Sequence, residues 1–188
     1  GGIALTAAGG TTLTVGFPGD VDALLSELVL IVGQKPATAN GGTITGPSGW
    51  TQRIASLAQG GYGATLGAST GNTNLWMYSK DAPSASDPET ALAVTLGDTD
   101  IAWGVILRLD KSEPGAIAWV GQTTGEQTAG NISHTFAATN LTAGDLILHA
   151  MTVATAISTP LAFSGWQLTQ TGSTFGSGNE LGEPDNAA

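Results

Sequence analysis

The chain contains no cysteine, few charged residues and very few cations. Only 11% of its 188 residues are charged, and five Lys and Arg stand against fifteen Asp and Glu, which gives a formal net charge of −10. The absence of cysteine excludes disulfides and thiolate metal sites. The excess of acids argues against direct contact with nucleic acids or anionic membranes, because both carry negative charge. We therefore expect neither a nucleic acid nor a membrane as partner.

Long apolar runs and targeting signals are also missing. The longest apolar stretch, residues 24–33, is interrupted by Ser26 and Glu27 and is too short to span a bilayer. No cationic segment of the kind that begins a secretory signal opens the chain. Export by a general secretory pathway is therefore not predicted.

Glycine and small hydroxyl residues take the place of the missing charges. The chain has 28 glycines, and 41% of its residues are hydrophobic, which is enough to build a core. Abundant Gly, Ser and Thr are typical of β-rich proteins with many turns. About ten short strand-like segments separated by turn residues predict an all-β fold, an antiparallel β-sandwich or jelly roll. A parallel sheet would need crossover helices, and no long helical pattern is present.

The strand predictions follow from apolar runs and from alternation of apolar and other residues. The clearest alternation is at 101–109, where Trp103, Val105, Leu107 and Leu109 share one face. A helical turn before residue 27 is compatible with the spacing of apolar residues there. The predicted strands cover residues 13–17, 27–33, 50–57, 75–79, 92–96, 101–109, 117–122, 133–137, 146–153 and 166–171.

A Ser-Gly-Trp tripeptide occurs twice in similar surroundings. Ser48-Gly49-Trp50 follows an apolar run that begins after Glu27, and Ser164-Gly165-Trp166 follows one that begins after Asp145. We interpret this as an internal pseudo-repeat. Fewer strands are predicted after the second copy than after the first, so either the second half is abbreviated or a neighbouring chain completes its sheet edge; an open edge of low charge favours such assembly. The predicted organisation is an N-terminal arm (1–12), a sandwich (13–172) with half-repeats at about 13–110 and 117–172, and an acidic, glycine-rich C-terminal tail (173–188).

No set of residues predicts catalysis or metal binding. His134 and His149 lie on separate predicted strands without a Gly-x-Ser-x-Gly nucleophile motif, so both are expected to be structural. Asp98 and Asp100 flank a turn, with Asp110 across the next predicted strand, and could bind Ca²⁺, but carboxylates on turns usually cap them through local hydrogen bonds. We expect a protein that is not an enzyme, with no catalytic residue, no metal and no cofactor; a hydrolase is the least favoured alternative.

The tryptophans are the remaining candidates for function. Trp76 and Tyr78 share one face of a predicted strand and could form a sugar-stacking platform, although aromatic faces in a small sandwich more often fill the core. Trp50, Trp166 and Trp103 are predicted to form the structural core of the repeat.

Several short segments together resemble a known group of proteins. They are Leu28–Val32, Pro47–Trp50, Leu75–Lys80, Ile106–Leu109, Ala143–Leu148, Gly172–Gly176 and the acidic segment 180–184. In this order they are similar to segments of β-sandwich virion proteins of tailed phages, found among head decorations, head or tail fibres and minor tail components. The resemblance covers about residues 10–184 and carries no catalytic residue.

The resemblance implies a structural role on the virion surface. The chain would decorate the capsid or form part of a fibre or tail, with major capsid or tail proteins and further copies of itself as partners. The alternative is a carbohydrate-binding β-sandwich module for surface or host-glycan adhesion, using Trp76 and Tyr78.

Overall fold

The computed structural model describes residues 4–5, 10–19, 21–36, 43–59, 73–81, 91–97, 99–119, 146, 148–152, 166–170 and 179–184. Within these ranges all regular structure is β-strand and no helix occurs, so the predicted all-β class is confirmed. The strands are β1 (Ala4–Leu5), β2 (Thr12–Val15), β3 (Ser26–Pro36), β4 (Thr43–Thr45), β5 (Thr51–Gln59), β6 (Thr73–Asp81), β7 (Leu92–Gly97), β8 (Thr99–Asp110), β9 (His149–Thr152), β10 (Trp166–Gln170) and β11 (Asn179–Pro184).

The described strands form three antiparallel sheets. Sheet A has five strands in the order β1-β8-β3-β6-β5, sheet B has the order β2-β7-β4, and sheet C has the order β10-β11-β9. The central strand of sheet A is β3, which pairs with β8 from Ser26 opposite Asp110 to Pro36 opposite Thr99. Sheets A and B pack against each other and form the predicted antiparallel β-sandwich.

The main core lies between sheets A and B. Leu28, Leu30 and Val32 of β3 point toward Leu13 and Val15 of β2, and all five are fully buried. Burial of each such side chain contributes about 1.5–3 kcal/mol relative to exposure. The period-two pattern of β3 therefore fixes which face of sheet A meets sheet B.

The opposite face of sheet A is also covered. Val29 and Ile31 of β3 belong to a second cluster, against which Leu148 and Ala150 pack. A strand buried on both faces has no need to alternate between apolar and polar residues. This explains the uninterrupted apolar run of β3.

Gly33 and Trp103 form a close cross-strand pair in this second cluster. The two residues lie opposite each other in β3 and β8. A Cβ at position 33 would lie 2.0 Å from Nε1 of Trp103. Glycine is required here because the indole ring occupies the space that any side chain would fill.

A pair of buried amides joins the two sheets at the far end of the main core. Gln34 Nε2 donates a hydrogen bond to the carbonyl oxygen of Gly97 in sheet B at 2.7 Å, and Asn74 Nδ2 donates to Gln34 Oε1 at 3.3 Å. Both amides are 1% exposed. Such mutual hydrogen bonding offsets the cost of burying polar groups.

The two Ser-Gly-Trp copies precede strands with the same arrangement. In the first copy β6 lies between β3 and β5, and in the second β11 lies between β9 and β10. Trp50 comes directly before β5, and Trp166 begins β10. In each triplet the strand that comes last in sequence is therefore the central one.

Strands lie within both end segments of the predicted organisation. The predicted tail contains β11, which pairs with β9 and β10, so the shortfall of strands after the second copy is smaller than expected. The predicted N-terminal arm contains β1, which pairs with β8, and the start of β2. Residues 117–119 are not a strand, and the predicted strand at 133–137 lies outside the described residues.

Candidate functional site

Charged side chains gather at one end of sheet A. Here β3 begins while β6 and β8 end, which places Glu27 opposite Asp81 and Ser26 opposite Asp110. The segment 111–119 follows β8 across this end. We call this region the charged end and define it as residues 19, 21–27, 51–54, 79–81 and 108–119.

Glu27 anchors the crossing segment. The residue is fully buried. Its Oε2 accepts a hydrogen bond from the backbone N–H of Ile117 at 3.1 Å, and its Oε1 accepts one from Nε1 of Trp119 at 2.6 Å. A buried carboxylate is costly unless both oxygens are hydrogen-bonded. Glu27 therefore fastens segment 111–119 onto sheet A and is itself satisfied by it.

Arg53 holds the same tryptophan from its face. The guanidinium carbon of Arg53 lies 5.1 Å from the centroid of the Trp119 ring, within the range of a cation–π contact. Arg53 Nε also donates to Ser79 Oγ at 2.9 Å. The indole is thus fixed at its edge by a carboxylate and at its face by a guanidinium.

Two further cations of the charged end, Lys111 and Arg108, are also bound to its own residues. Lys111, whose side chain is 7% exposed, forms an ion pair with Asp81, and its backbone N–H donates to the carbonyl oxygen of Leu25 at 2.7 Å. Arg108 pairs with Asp110 at 2.9 Å and donates to the carbonyl oxygen of Gly19 at 2.6 Å. A shallow depression runs along residues 110–117 beside these pairs.

A capped turn precedes β3. The side-chain Oδ1 of Asp22 accepts hydrogen bonds from the backbone N–H groups of Leu24 at 2.7 Å and Leu25 at 2.8 Å. These two bonds hold the pKa of the Asp22 carboxyl below its ordinary value. The backbone N–H of Ser26 donates to the Asp22 carbonyl, and the Ser26 hydroxyl accepts from the Asp22 N–H. The turn is consequently closed by four hydrogen bonds.

The described residues of the charged end contain no cluster of metal ligands. Among the residues that the structure describes, no three His, Asp or Glu side chains come together as ligands for a metal ion. Asp110, considered for Ca²⁺ from sequence, is paired with Arg108; Asp98 and His134 lie outside the described residues. The ion pairs and hydrogen bonds of the charged end can hold its surface in one conformation.

Membrane crossing by a helix finds no support in the described ranges, which contain no helix long and apolar enough to span a bilayer.

Both aromatic residues of the candidate sugar platform lie in the core, the role that the sequence favours over stacking on a sugar. Trp76 and Tyr78 are each 3% exposed and pack in the cluster between sheets A and B. A ring that stacks on a sugar needs an accessible face. Burial also raises the pKa of the Tyr78 hydroxyl.

The three tryptophans assigned to the core of the repeat have different surroundings. Trp103 is 2% exposed and belongs to the cluster on the outer face of sheet A. Trp50 is half-buried and packs against the cluster between the sheets. The backbone of Trp166 lies in β10, and its side chain is outside the described part of the chain.

Sequence reasoning missed the pair formed by Glu27 and Trp119. The available signal was a glutamate at the start of an apolar strand, because a buried carboxylate must find donors. The sequence does not indicate which donor is used, since the two residues are 92 positions apart.

Comparisons of the chain with protein-family models, with curated proteins and with solved structures give no match. Its function is therefore inferred from its own residues and their arrangement.

Proposed function

We propose that the chain is a non-enzymatic structural component of a tailed-phage virion. It would decorate the capsid or form part of a fibre or tail through contacts with neighbouring subunits. The observation that carries this proposal is the use of charged groups at the charged end, where acids and cations bind one another or the backbone. Charged groups that are bound in this way hold the surface in a fixed shape, and that shape would be what neighbouring subunits recognise.

These charged groups are already bound to other groups of the protein, and this argues against a role in catalysis. A general acid, base or nucleophile has to reach a substrate atom directly or through one water. Glu27 is fully buried with both oxygens accepting hydrogen bonds, and Lys111 is turned inward toward Asp81. Neither group is positioned to meet a substrate, so a hydrolase is not proposed.

The resemblance to phage proteins supports the structural role through where its segments fall. Leu28–Val32 lies in β3, Leu75–Lys80 in β6 and Ile106–Leu109 in β8, which are the three adjacent strands at the middle of sheet A. The similar segments thus belong to the framework of the sandwich. An acidic net charge of −10 favours particles that stay dispersed.

The carbohydrate-binding alternative is not proposed. It depended on Trp76 and Tyr78, which are buried between the two sheets.

Quantitative mass spectrometry of purified virions tests the proposed function. Particles of the phage that encodes the chain would be banded in a density gradient, washed in salt, and digested. We expect the chain at a constant copy number relative to the major capsid protein in every preparation. Absence of the chain from washed particles, or a ratio that varies between preparations, would contradict the proposal.

A further inference from the structure

Two adjacent leucines are exposed on the capped turn before β3. Leu24 is 62% exposed and Leu25 is 37% exposed. Single exposed leucines are common on protein surfaces, but here two neighbours are fixed by hydrogen bonds from their own N–H groups to Asp22. Because the turn is already ordered, burying these side chains against a partner would cost little conformational entropy.

The surroundings of this turn are acidic at the surface. Asp22 and Glu113 are exposed, and the Asp110 side chain is 65% exposed. The neighbouring cations are less accessible: the side chain of Arg108 is 28% exposed and that of Lys111 is 7% exposed, and both are ion-paired. The turn itself carries the exposed Asp22, and Asp110 lies opposite Ser26, so the carboxylates near the leucines are more exposed than the cations.

We propose that the Leu24–Leu25 turn is a docking point for a different protein subunit that offers an apolar pocket with a cationic rim. The inference rests on the proposed structural function and names the surface through which it acts. Apolar contact would supply affinity, and the carboxylates would select and orient the partner.

A second copy of this chain does not fit the same surface. It would bring another net charge of −10 and only five cations. Three of those cations, Arg53, Arg108 and Lys111, are already bound at the charged end. Two copies meeting here would place carboxylates against carboxylates, which is unfavourable.

A competition during particle assembly tests the docking point. Wild-type chain and a variant are supplied together at equal levels, so that particles form in every case, and their ratio in purified particles is measured by mass spectrometry. For Leu24→Ser with Leu25→Ser, we expect incorporation to fall by at least about tenfold relative to wild type, as for loss of a buried apolar anchor. The matched control is Leu146→Ser, since Leu146 is 52% exposed but lies away from this turn in sequence; it should be incorporated equally with wild type.

Charge variants test the rim separately. Asp22→Asn keeps the oxygen that caps the turn and removes its charge; combined with Glu113→Gln it should lower incorporation less than the leucine pair does. Unchanged incorporation of this variant would contradict the proposal that the partner's pocket has a cationic rim.

The outcomes separate the inference from the proposed function. Equal incorporation of the leucine variant and wild type would overturn the docking point and leave the virion role standing. Absence of the wild-type chain from particles would overturn both. Equal soluble levels and equal melting temperatures show that a variant is folded; if the pair unfolds, Leu24→Ser alone, at the more exposed position, is used and a smaller fall is expected.

Discussion

Trp119 donates its indole N–H to Oε1 of Glu27 at 2.6 Å, across 92 positions of sequence. The second carboxylate oxygen accepts the N–H of Ile117, so one buried side chain binds two points of the same segment. The pair connects the first residues of β3 with the chain that leaves β8. It thereby holds the end of segment 111–119, which starts at the capped turn with the Lys111 N–H bound to the Leu25 carbonyl and whose residues Ser112 to Ala116 are exposed.

Removing either partner of this pair should destabilise the fold. Glu27→Gln replaces an acceptor by an amide NH₂ that faces a donor, and Trp119→Phe removes the indole donor; we expect each to lower the free energy of unfolding by about 1–3 kcal/mol. The double variant should lose less than the sum of the two, because the residues are in direct contact. Urea denaturation of the four proteins measures this coupling.

The control for this prediction is Glu113→Gln, which removes the charge of an exposed glutamate on the same segment. Its effect should stay within about 0.5 kcal/mol. Strictly additive losses from the two single variants would show that the hydrogen bond does not contribute to stability.

Gly33→Ala should be destabilising because of the Trp103 ring. A Cβ at position 33 would lie 2.0 Å from Nε1 and 2.3 Å from Cε2 of that ring, so the indole or the strand must shift. Overpacking of this kind costs about 1–3 kcal/mol. Gly16→Ala is the matched control, since no atom lies within 4 Å of a Cβ built there. Chemical denaturation should separate the two variants; equal stabilities would contradict the close approach.

Tyr78 should make the fold sensitive to alkaline pH. Burial raises the pKa of its hydroxyl above the ordinary value of 10.0, so the folded state keeps the proton when the unfolded chain has begun to release it. The free energy of unfolding should consequently be unaffected by this group below about pH 10 and fall as the pH rises beyond it. Tyr78→Phe should remove this contribution and shift alkaline unfolding to higher pH.

Tyrosinate absorbance during a pH titration measures the effect directly. The chain has one other tyrosine, Tyr62, and Tyr62→Phe leaves Tyr78 as the only phenol. An ordinary pKa for Tyr78 in that variant, measured in the folded state, would contradict the prediction.

Local pattern was sufficient to predict most strands of the sandwich. The alternation of Trp103, Val105 and Leu107 gave the correct face of β8, since the side-chain period of a strand is two. The uninterrupted apolar run of β3 was also recognised, although its burial on both faces depends on neighbours that the sequence does not identify.

Long-range hydrogen bonding explains where the strand prediction failed. Residues 117–119 have a strand-like composition. The N–H of Ile117, however, donates to the Glu27 side chain and is therefore not available for a hydrogen bond to a neighbouring strand. The segment 179–184 is acidic and glycine-rich, and these features predict a tail. It forms β11 instead, because it pairs with β9 on one side and with β10 on the other. Both outcomes depend on partners far away in sequence.

The candidate site was less accessible to sequence reasoning than the fold. Trp76 and Tyr78 were correctly placed on one strand face, but the sequence does not indicate that sheet B covers that face. The Leu24–Leu25 turn was read only as a helical turn before the strand. Its contact with the segment 111–119, a hydrogen bond from the Lys111 N–H to the Leu25 carbonyl, joins residues 86 positions apart and is not indicated by local pattern.

The central position of β3 has a consequence for synthesis on the ribosome. This strand is complete once Pro36 has emerged, whereas β6 begins at Thr73 and β8 ends at Asp110. An apolar strand that emerges long before its partners is open to mispairing, and such long-range pairing is slow to form. A nascent chain released before Asp110 would carry an apolar strand, whose residues Leu28 to Val32 are fully buried in the folded protein, with one edge incomplete, and such fragments should aggregate unless a chaperone shields them.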